Sequence, residues 1–261
     1  MIGHKLGVPG STSNWALFLD FDGTLVDIAE RPEAVTVDPG LPALLTRLRQ
    51  SCGGALAIVT GRAVAAIEAF LPGLDLDICG LHGMERRVDG RIQRVAPPDL
   101  PALRAALPAL TQRLSAIPGV LTEDKGESVA LHWRLAPEAA TRVQEAARSA
   151  LRKLGPNFRL QDGKSVVEIV PEASGKGRAV EALLAMAPYR GRRPLFAGDD
   201  LTDENGFRAV EERGGLSIKI GTGDTIASRR VSSPAAFRAW LAEFAAQPAA
   251  VETLAQSSHP G

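Results

Sequence analysis

The chain has 261 residues, 30 basic side chains against 30 acidic ones, and an apolar fraction of 45%. That length allows one or two domains and that apolar fraction fills a substantial core, so a disordered chain is excluded. Zero formal charge argues against a constitutive nucleic-acid binder or an electrostatic membrane anchor, and no run approaches the ~18 consecutive apolar residues of a spanning helix.

Residues 1–14 read as a polar arm without the apolar centre of a secretory signal, which makes the cytoplasm the expected compartment. Residues 15–20 (WALFLD) form a short apolar run ending in acid, the pattern of a parallel strand buried on both faces. Leucines at helical spacing predict a helix over 39–51, and residues 55–59 (ALAIV) a second buried strand stopped by Thr60-Gly61-Arg62. A helix over 63–70 and a strand starting at Ile78 continue the alternation of a doubly wound parallel sheet. Cys52 and Cys79 have no metal-ligand spacing and are expected to be small buried hydrophobes.

The pattern changes at residues 96–101 (APPDLP), a stiff proline linker. Beyond it, a helix over 101–116, strands over 120–124 and 128–134, a helix over 137–153 and strands over 157–161 and 165–170 predict an α+β module. Its antiparallel sheet should carry helices on one face. Residues 171–177 (PEASGKG) read as a second linker leading into a helix. Strands over 194–197 and 215–220 and a helix over 234–246 then restore the α/β rhythm, before a frayed tail from Gln247. The expected architecture is an α/β core of residues 1–96 and 174–261 interrupted by an inserted α+β domain of residues 97–173.

Ligand sites in open α/β sheets lie at the carboxyl ends of the parallel strands. Here those ends carry Asp20-Phe21-Asp22-Gly23-Thr24, Thr60-Gly61-Arg62 and Gly198-Asp199-Asp200-Leu201-Thr202-Asp203-Glu204, while the second linker offers Ser174-Gly175-Lys176-Gly177. A lone DxD is commonly a solvated turn, but four polar clusters in one sheet domain are harder to dismiss. Converging carboxylates repel unless a cation sits among them, and an all-oxygen set without His or Cys suits Mg²⁺. Mg²⁺ is usually held by one or two carboxylates plus a substrate phosphate, which implies phosphoryl chemistry with an aspartate as nucleophile.

The string DFDGT, then Thr60, Lys176 and GDDLTDE in that order, resembles the four motifs of the haloacid dehalogenase superfamily. The resemblance implies that Asp20 is the nucleophile and that Asp22 is the general acid and base, lending its backbone carbonyl to the metal. Thr60 would bind phosphoryl oxygens, Lys176 would neutralise developing charge, and Asp199 would complete the Mg²⁺ shell with Asp200 and Asp203 behind it. An acid at position 22 implies a phosphatase or mutase rather than a dehalogenase or an ion pump.

Residues 80–86 (GLHGMER), 123–126 (EDKG), 131–134 (LHWR), 217–228 (SIKIGTGDTIAS) and FAGDDLTDENGF are similar to trehalose-6-phosphate phosphatases, from about Leu17 to Trp240. That likeness implies a Rossmann-like core, a cap domain that closes over the sugar, and an Mg²⁺-dependent phosphomonoester hydrolase of trehalose biosynthesis. It implies a sugar grip by Glu123, Lys125 and Glu168, with Arg62 and His82 on the core side and Arg134 at a strand end. The implied substrate is trehalose 6-phosphate, and a monomer with no nucleic-acid or membrane partner is expected. Sucrose-phosphate or mannosyl-3-phosphoglycerate phosphatases of the same fold, or a phosphosugar sensor without turnover, are the alternatives. Only six of the 30 cations are lysines, and Lys125 and Lys176 both fall at implied functional positions. A compact three-donor ammonium is not interchangeable there with a planar guanidinium.

Overall fold

The computed structural model describes residues 11–29, 34–94, 99–163 and 165–247. The expected frayed tail beyond Gln247, most of the N-terminal arm and residues 96–98 of the first linker lie outside them. In chain order, β1 (Trp15–Leu19), α1 (Leu41–Ser51), β2 (Leu56–Val59), α2 (Val64–Phe70) and β3 (Asp77–Gly80) open the core. A hairpin follows, β4 (Glu85–Val88) and β5 (Arg91–Arg94). Next come α3 (Leu100–Ser115), β6 (Leu121–Asp124), β7 (Val129–His132), α4 (Ala140–Leu154), β8 (Phe158–Gly163) and β9 (Val166–Pro171). The chain then returns through α5 (Lys176–Leu184), β10 (Arg193–Gly198), α6 (Glu204–Glu211), β11 (Leu216–Ile220), β12 (Arg229–Val231) and α7 (Pro234–Ala245).

Eight strands form one sheet in the order β12-β11-β10-β1-β2-β3-β4-β5. The six from β12 to β3 are parallel, and β4 and β5 are antiparallel. The unbroken apolar runs follow from burial on both faces. Trp15, Leu17 and Leu19 pack against α1, α2 and α7 on one side, while Ala16 and Phe18 pack against α5 and α6 on the other. That is a doubly wound α/β sheet. Local chemistry sets the helix ends. At α7 the Ser233 hydroxyl accepts the Ala236 amide at 3.2 Å, and Pro234 occupies the first turn, where its missing N–H costs nothing.

Between β5 and α5 the chain builds a separate antiparallel sheet, β6-β7-β9-β8, with its own apolar cluster beneath α3 and α4. Val129, Leu131, Val167 and Ile169 face those helices. The alternate residues, Ala130, Glu168 and Gln161, lie side by side in register on the opposite face. No described helix is long and apolar enough to cross a membrane. Cys52 and Cys79 are free and buried, as their spacing implied.

Four elements have no counterpart in the sequence reading: β4 and β5 of the hairpin, α6 and β12. Strands β4 (ERRV) and β5 (RIQR) lack an apolar face, and β5 is exposed throughout. Their signal was the turn, since Asp89 and Gly90 take φ of 48° and 70° and Asp-Gly is a favoured type I′ pair. Helix α6 is amphipathic but begins inside the acidic motif, whose chemistry masked its period.

The starts of β2 and β3 are tied by a buried polar pair. The Tyr189 hydroxyl lies 2.6 Å from Asp77 Oδ2 and 3.1 Å from the Leu56 carbonyl. Burial pushes the Asp77 carboxyl upward against the pull of that hydroxyl. Tyr189→Phe removes the donor and leaves buried acceptors unpaired, so it should cost about 1–3 kcal/mol, measured by urea denaturation. An unchanged midpoint would show that the pair contributes nothing.

Candidate active site

The carboxyl ends of β1, β2 and β10 converge with the first residue of α5. Asp20 follows β1 and continues its ladder, its amide donating to the Ala197 carbonyl at 3.0 Å. The side chains of Asp20 and Lys176 are almost fully enclosed, at 5% and 4% exposure. Lys176 Nζ donates to Asp20 Oδ1 at 2.7 Å and to Asp203 Oδ1 at 2.6 Å. Thr24 Oγ1 donates to Asp20 Oδ2 at 3.2 Å. Asp203 is fully committed, because its Oδ2 accepts the amides of Asp199 at 3.0 Å and Asp200 at 2.9 Å. It anchors the ammonium and the Asp199–Asp200 turn together. Lys219, in β11, donates to the Asp199 carbonyl from below.

Glycines make this packing possible at two points. Gly23 has φ of 70°, and a Cβ there would collide with the Asp199 carboxylate. A Cβ on Gly198 would collide in the same way with the carboxylate of Asp203.

Burial pushes the Asp20 carboxyl upward, opposed by the neighbouring ammonium of Lys176. Asp199 is pushed up to about 6, by burial first and then by the charge of Asp203. Desolvation pulls Lys176 down, but the combined attraction of Asp20 and Asp203 outweighs it and the net shift is upward. Oxygens of Asp20, Asp199 and Asp203 all lie within 4.8 Å of one another. Asp203 is wholly enclosed and lines no open space, whereas Asp20 and Asp199 both line one cavity, so these two are the carboxylates an ion could reach. One buried and one half-buried carboxylate, both pushed upward and with no His or Cys in the cluster, form an oxygen set that fits a hard divalent cation.

Asp22 points elsewhere. Arg62 grips it in a fork, Nε to Oδ2 at 2.6 Å and Nη2 to Oδ1 at 2.7 Å, with the guanidinium 5.0 Å above the Phe70 ring. Thr60 follows β2, is 1% exposed, and its hydroxyl accepts the Arg62 amide at 3.2 Å. Asp20, Asp22, Thr60, Arg62, His82, Lys176, Asp199 and Asp200 all line one cavity of about 670 Å³.

A second cavity of about 510 Å³ adjoins the first and shares Gly61 and His82 with it. His82 has φ of 54°, and a Cβ on Gly61 would come within 2.8 Å of its ring. Burial and then Lys176 push this imidazole down to about 4, so it is neutral near pH 7. The outer wall of the second cavity is the polar face of the smaller sheet, including Lys125, Ser128, Gln161 and Glu168. Glu168 accepts from Ser128 Oγ at 2.5 Å and from Lys125 Nζ at 3.3 Å.

The sugar-grip residues implied by the sequence are not all gathered here. Glu123 is exposed and pairs with His132 Nε2 at 2.8 Å, and Arg134 is exposed beyond β7; neither lines these two cavities. Sequence reasoning missed Ser128, Gln161 and the Glu85–Arg94 pair of the same cavity. Gln161 sits opposite Glu168 in the ladder, so strand alternation was the signal for it.

A trehalose-phosphatase family model matches residues 18–237. The chain is 49% identical over 210 residues to a probable trehalose-phosphate phosphatase of Sinorhizobium fredii, covering 80% of this chain and 78% of that protein. It is 38% identical over 234 residues to trehalose-6-phosphate phosphatase of Escherichia coli, covering 89% and 87%. The crystal structure of the Aspergillus fumigatus trehalose-6-phosphate phosphatase superposes with a TM-score of 0.74 at 23% identity, over 88% of this chain and 92% of that one, a likeness of fold. With its strand-end motifs inside the matched span, the chain belongs to the trehalose-phosphatase family.

Proposed function

We propose that this chain is an Mg²⁺-dependent phosphatase that hydrolyses trehalose 6-phosphate to trehalose and inorganic phosphate through an aspartyl-phosphate on Asp20. The observation that carries the reading is the buried Asp20–Lys176–Asp203 triad, beside a cavity of about 670 Å³ that adjoins the second cavity of about 510 Å³. The inserted unit, residues 97–173, serves as the cap over that sugar.

Asp20 attacks phosphorus as the bond from phosphorus to the sugar 6-oxygen breaks. Lys176 and Thr24 hold the attacking carboxylate, and Lys176 offsets negative charge that grows on the phosphoryl group. Asp22 delivers a proton to the departing oxygen, then takes one from the water that breaks the aspartyl-phosphate bond, which restores both aspartates. Because Arg62 occupies both Asp22 oxygens, proton delivery needs that fork to open, and the anionic phosphate offers Arg62 an alternative partner. Asp20, Asp199 and the backbone carbonyl of Asp22 would hold Mg²⁺, with Asp200 behind them. Bound there, the ion would supply Lewis-acid neutralisation of the phosphoryl oxygens. Neutral His82 and the Lys125–Glu168 pair offer donors and acceptors to sugar hydroxyls.

Phosphate release from a panel of trehalose, sucrose and glucose 6-phosphates, with and without EDTA, tests the reading. Trehalose 6-phosphate should be favoured and EDTA should abolish turnover until Mg²⁺ is restored; preference for another ester or indifference to chelation would sink it. Metal affinity should also depend on pH. With its pKa near 6, Asp199 is a proton-free ligand above that value and must lose a proton to bind metal below it. Calorimetric titration at pH 5 against pH 7.5 should show Mg²⁺ binding weakened by about tenfold at the lower pH. Equal affinities would remove Asp199 from the ligand set.

A further inference from the structure

The smaller sheet meets the core segment that carries Lys176 at one side chain that the mechanism above does not use. Arg159, in β8, reaches from its Nη2 to the Ser174 carbonyl at 2.9 Å and to Gln161 Oε1 at 3.2 Å. Ser174 lies two residues before Lys176, and Gln161 is on the sugar-facing wall of the second cavity. One guanidinium nitrogen therefore links a residue of the sugar pocket to the backbone leading into the catalytic helix.

The surroundings make this link specific. Gly175 takes φ of 122°, and a Cβ there would stand 2.9 Å from Arg159 Nη2, so the backbone passes close beneath the guanidinium. Behind it opens a cavity of about 310 Å³, lined by Arg159, Glu172, Gly175, Arg178 and Asn205 among others, that separates the smaller sheet from α5 and α6. Among the described residues no buried apolar cluster spans this gap. The other charged contact at this junction, Arg178 with Glu172 at 3.2 Å, is about half exposed on both sides and contributes little. Arg159 is more enclosed, and burial pulls its guanidinium downward.

The core side of the junction is fixed without Arg159. The Gly175 amide donates to the His82 carbonyl at 2.6 Å, and Lys176 is held by Asp20 and Asp203. What Arg159 adds is the position of the sheet relative to that fixed segment. We propose that Arg159 is a positioning residue that registers the sugar-reading face of the smaller sheet, through Gln161, against the segment bearing Lys176. It acts through Gln161 and the Ser174 carbonyl and touches neither phosphate nor metal. The inference rests on the sugar-phosphate reading above and names a specificity determinant for it.

The test compares a sugar ester with one that has no sugar, each at saturating Mg²⁺: trehalose 6-phosphate and p-nitrophenyl phosphate. Arg159→Ala should lower kcat/KM for trehalose 6-phosphate by about tenfold, because small misplacements of a positioning contact carry large rate penalties. Turnover of p-nitrophenyl phosphate should stay within about twofold of wild type, since the Lys176 segment keeps its own contacts. Arg159→Lys guards against loss of fold: it keeps a cationic donor at the same place on a shorter, more flexible stem, so it should recover part of the loss. Gln161→Ala combined with Arg159→Ala should be no worse than the more severe single variant, the signature of coupled residues.

Equal loss on both esters would overturn the proposal, by making Arg159 a support for Lys176. No loss on either would overturn it as well. Wild-type preference within the panel tests the substrate reading separately. Should the wild type favour another sugar phosphate, the same ratio taken on that ester still decides the role of Arg159.

Discussion

Asp20→Asn is expected to lower phosphate release by about 10⁴-fold or more while leaving the chain folded. The substitution exchanges one carboxylate oxygen for an amide of the same shape. The amide oxygen can still accept from Lys176, now 2.7 Å from Asp20 Oδ1, so the buried ammonium keeps a partner beside Asp203. What is lost is the proposed nucleophile, because a carboxamide does not form the acyl-phosphate that divides hydrolysis into two easier steps. Thermal unfolding followed by circular dichroism should show a native transition, and intact mass should exclude deamidation back to aspartate. Rapidly quenched wild type should carry a phosphoryl group on the Asp20 peptide, and the variant none. Full turnover by a verified Asp20→Asn protein would assign the nucleophile elsewhere.

Lys176→Met should remove both activity and stability. Among the described residues its ammonium is the side-chain cation in direct contact with both Asp20 and Asp203. Without it two enclosed carboxylates face each other, and breaking a buried ion pair from one side costs about 3–5 kcal/mol. Turnover should fall by about 10³-fold, the scale for losing one preorganised electrostatic contact to the transition state. Added Mg²⁺ should recover part of the stability by binding the folded state alone, but not the activity. Lys176→Arg should fail as well, because a planar guanidinium does not fit a site almost fully enclosed and shaped around one nitrogen. Denaturation midpoints with and without Mg²⁺, beside phosphate release, check both expectations. A stable, active Lys176→Met protein would mean that the buried charge is balanced otherwise.

The two experiments divide the site into a part that reacts and a part that holds the reacting group at a defined charge. The strained carboxylates follow from that division. Asp199, pushed up to about 6, is destabilised as an anion until a cation joins it, so ion binding and ionisation are coupled. Asp203 differs because Lys176 and two backbone amides occupy both its oxygens.

The sequence by itself determined where the apolar strands of the core lie and what chemistry hangs from their ends. An apolar run such as WALFLD is legible because a parallel strand covered on both faces has no polar alternative, and Asp20 follows at the point where that burial stops. The acidic pairs, Thr60 and Lys176 were legible as polar residues adjoining buried strands and a linker, in an order that resembles the four haloacid dehalogenase motifs. The β4–β5 hairpin was not, because ERRV and RIQR carry no hydrophobic period and only the Asp89-Gly90 turn marks them.

Tertiary structure alone decided which of these groups meet. Lys176 and Asp20 are 156 residues apart, and they touch because the sheet places β1 beside β10 and runs α5 into the same corner. Nothing local reveals that Asp22 is gripped by Arg62, that Glu123 turns to His132, or that Arg159 reaches the Ser174 carbonyl. Such pairings depend on strand order and on the packing of one sheet against another. Residue periodicity encodes which face is buried, not what lies across from it.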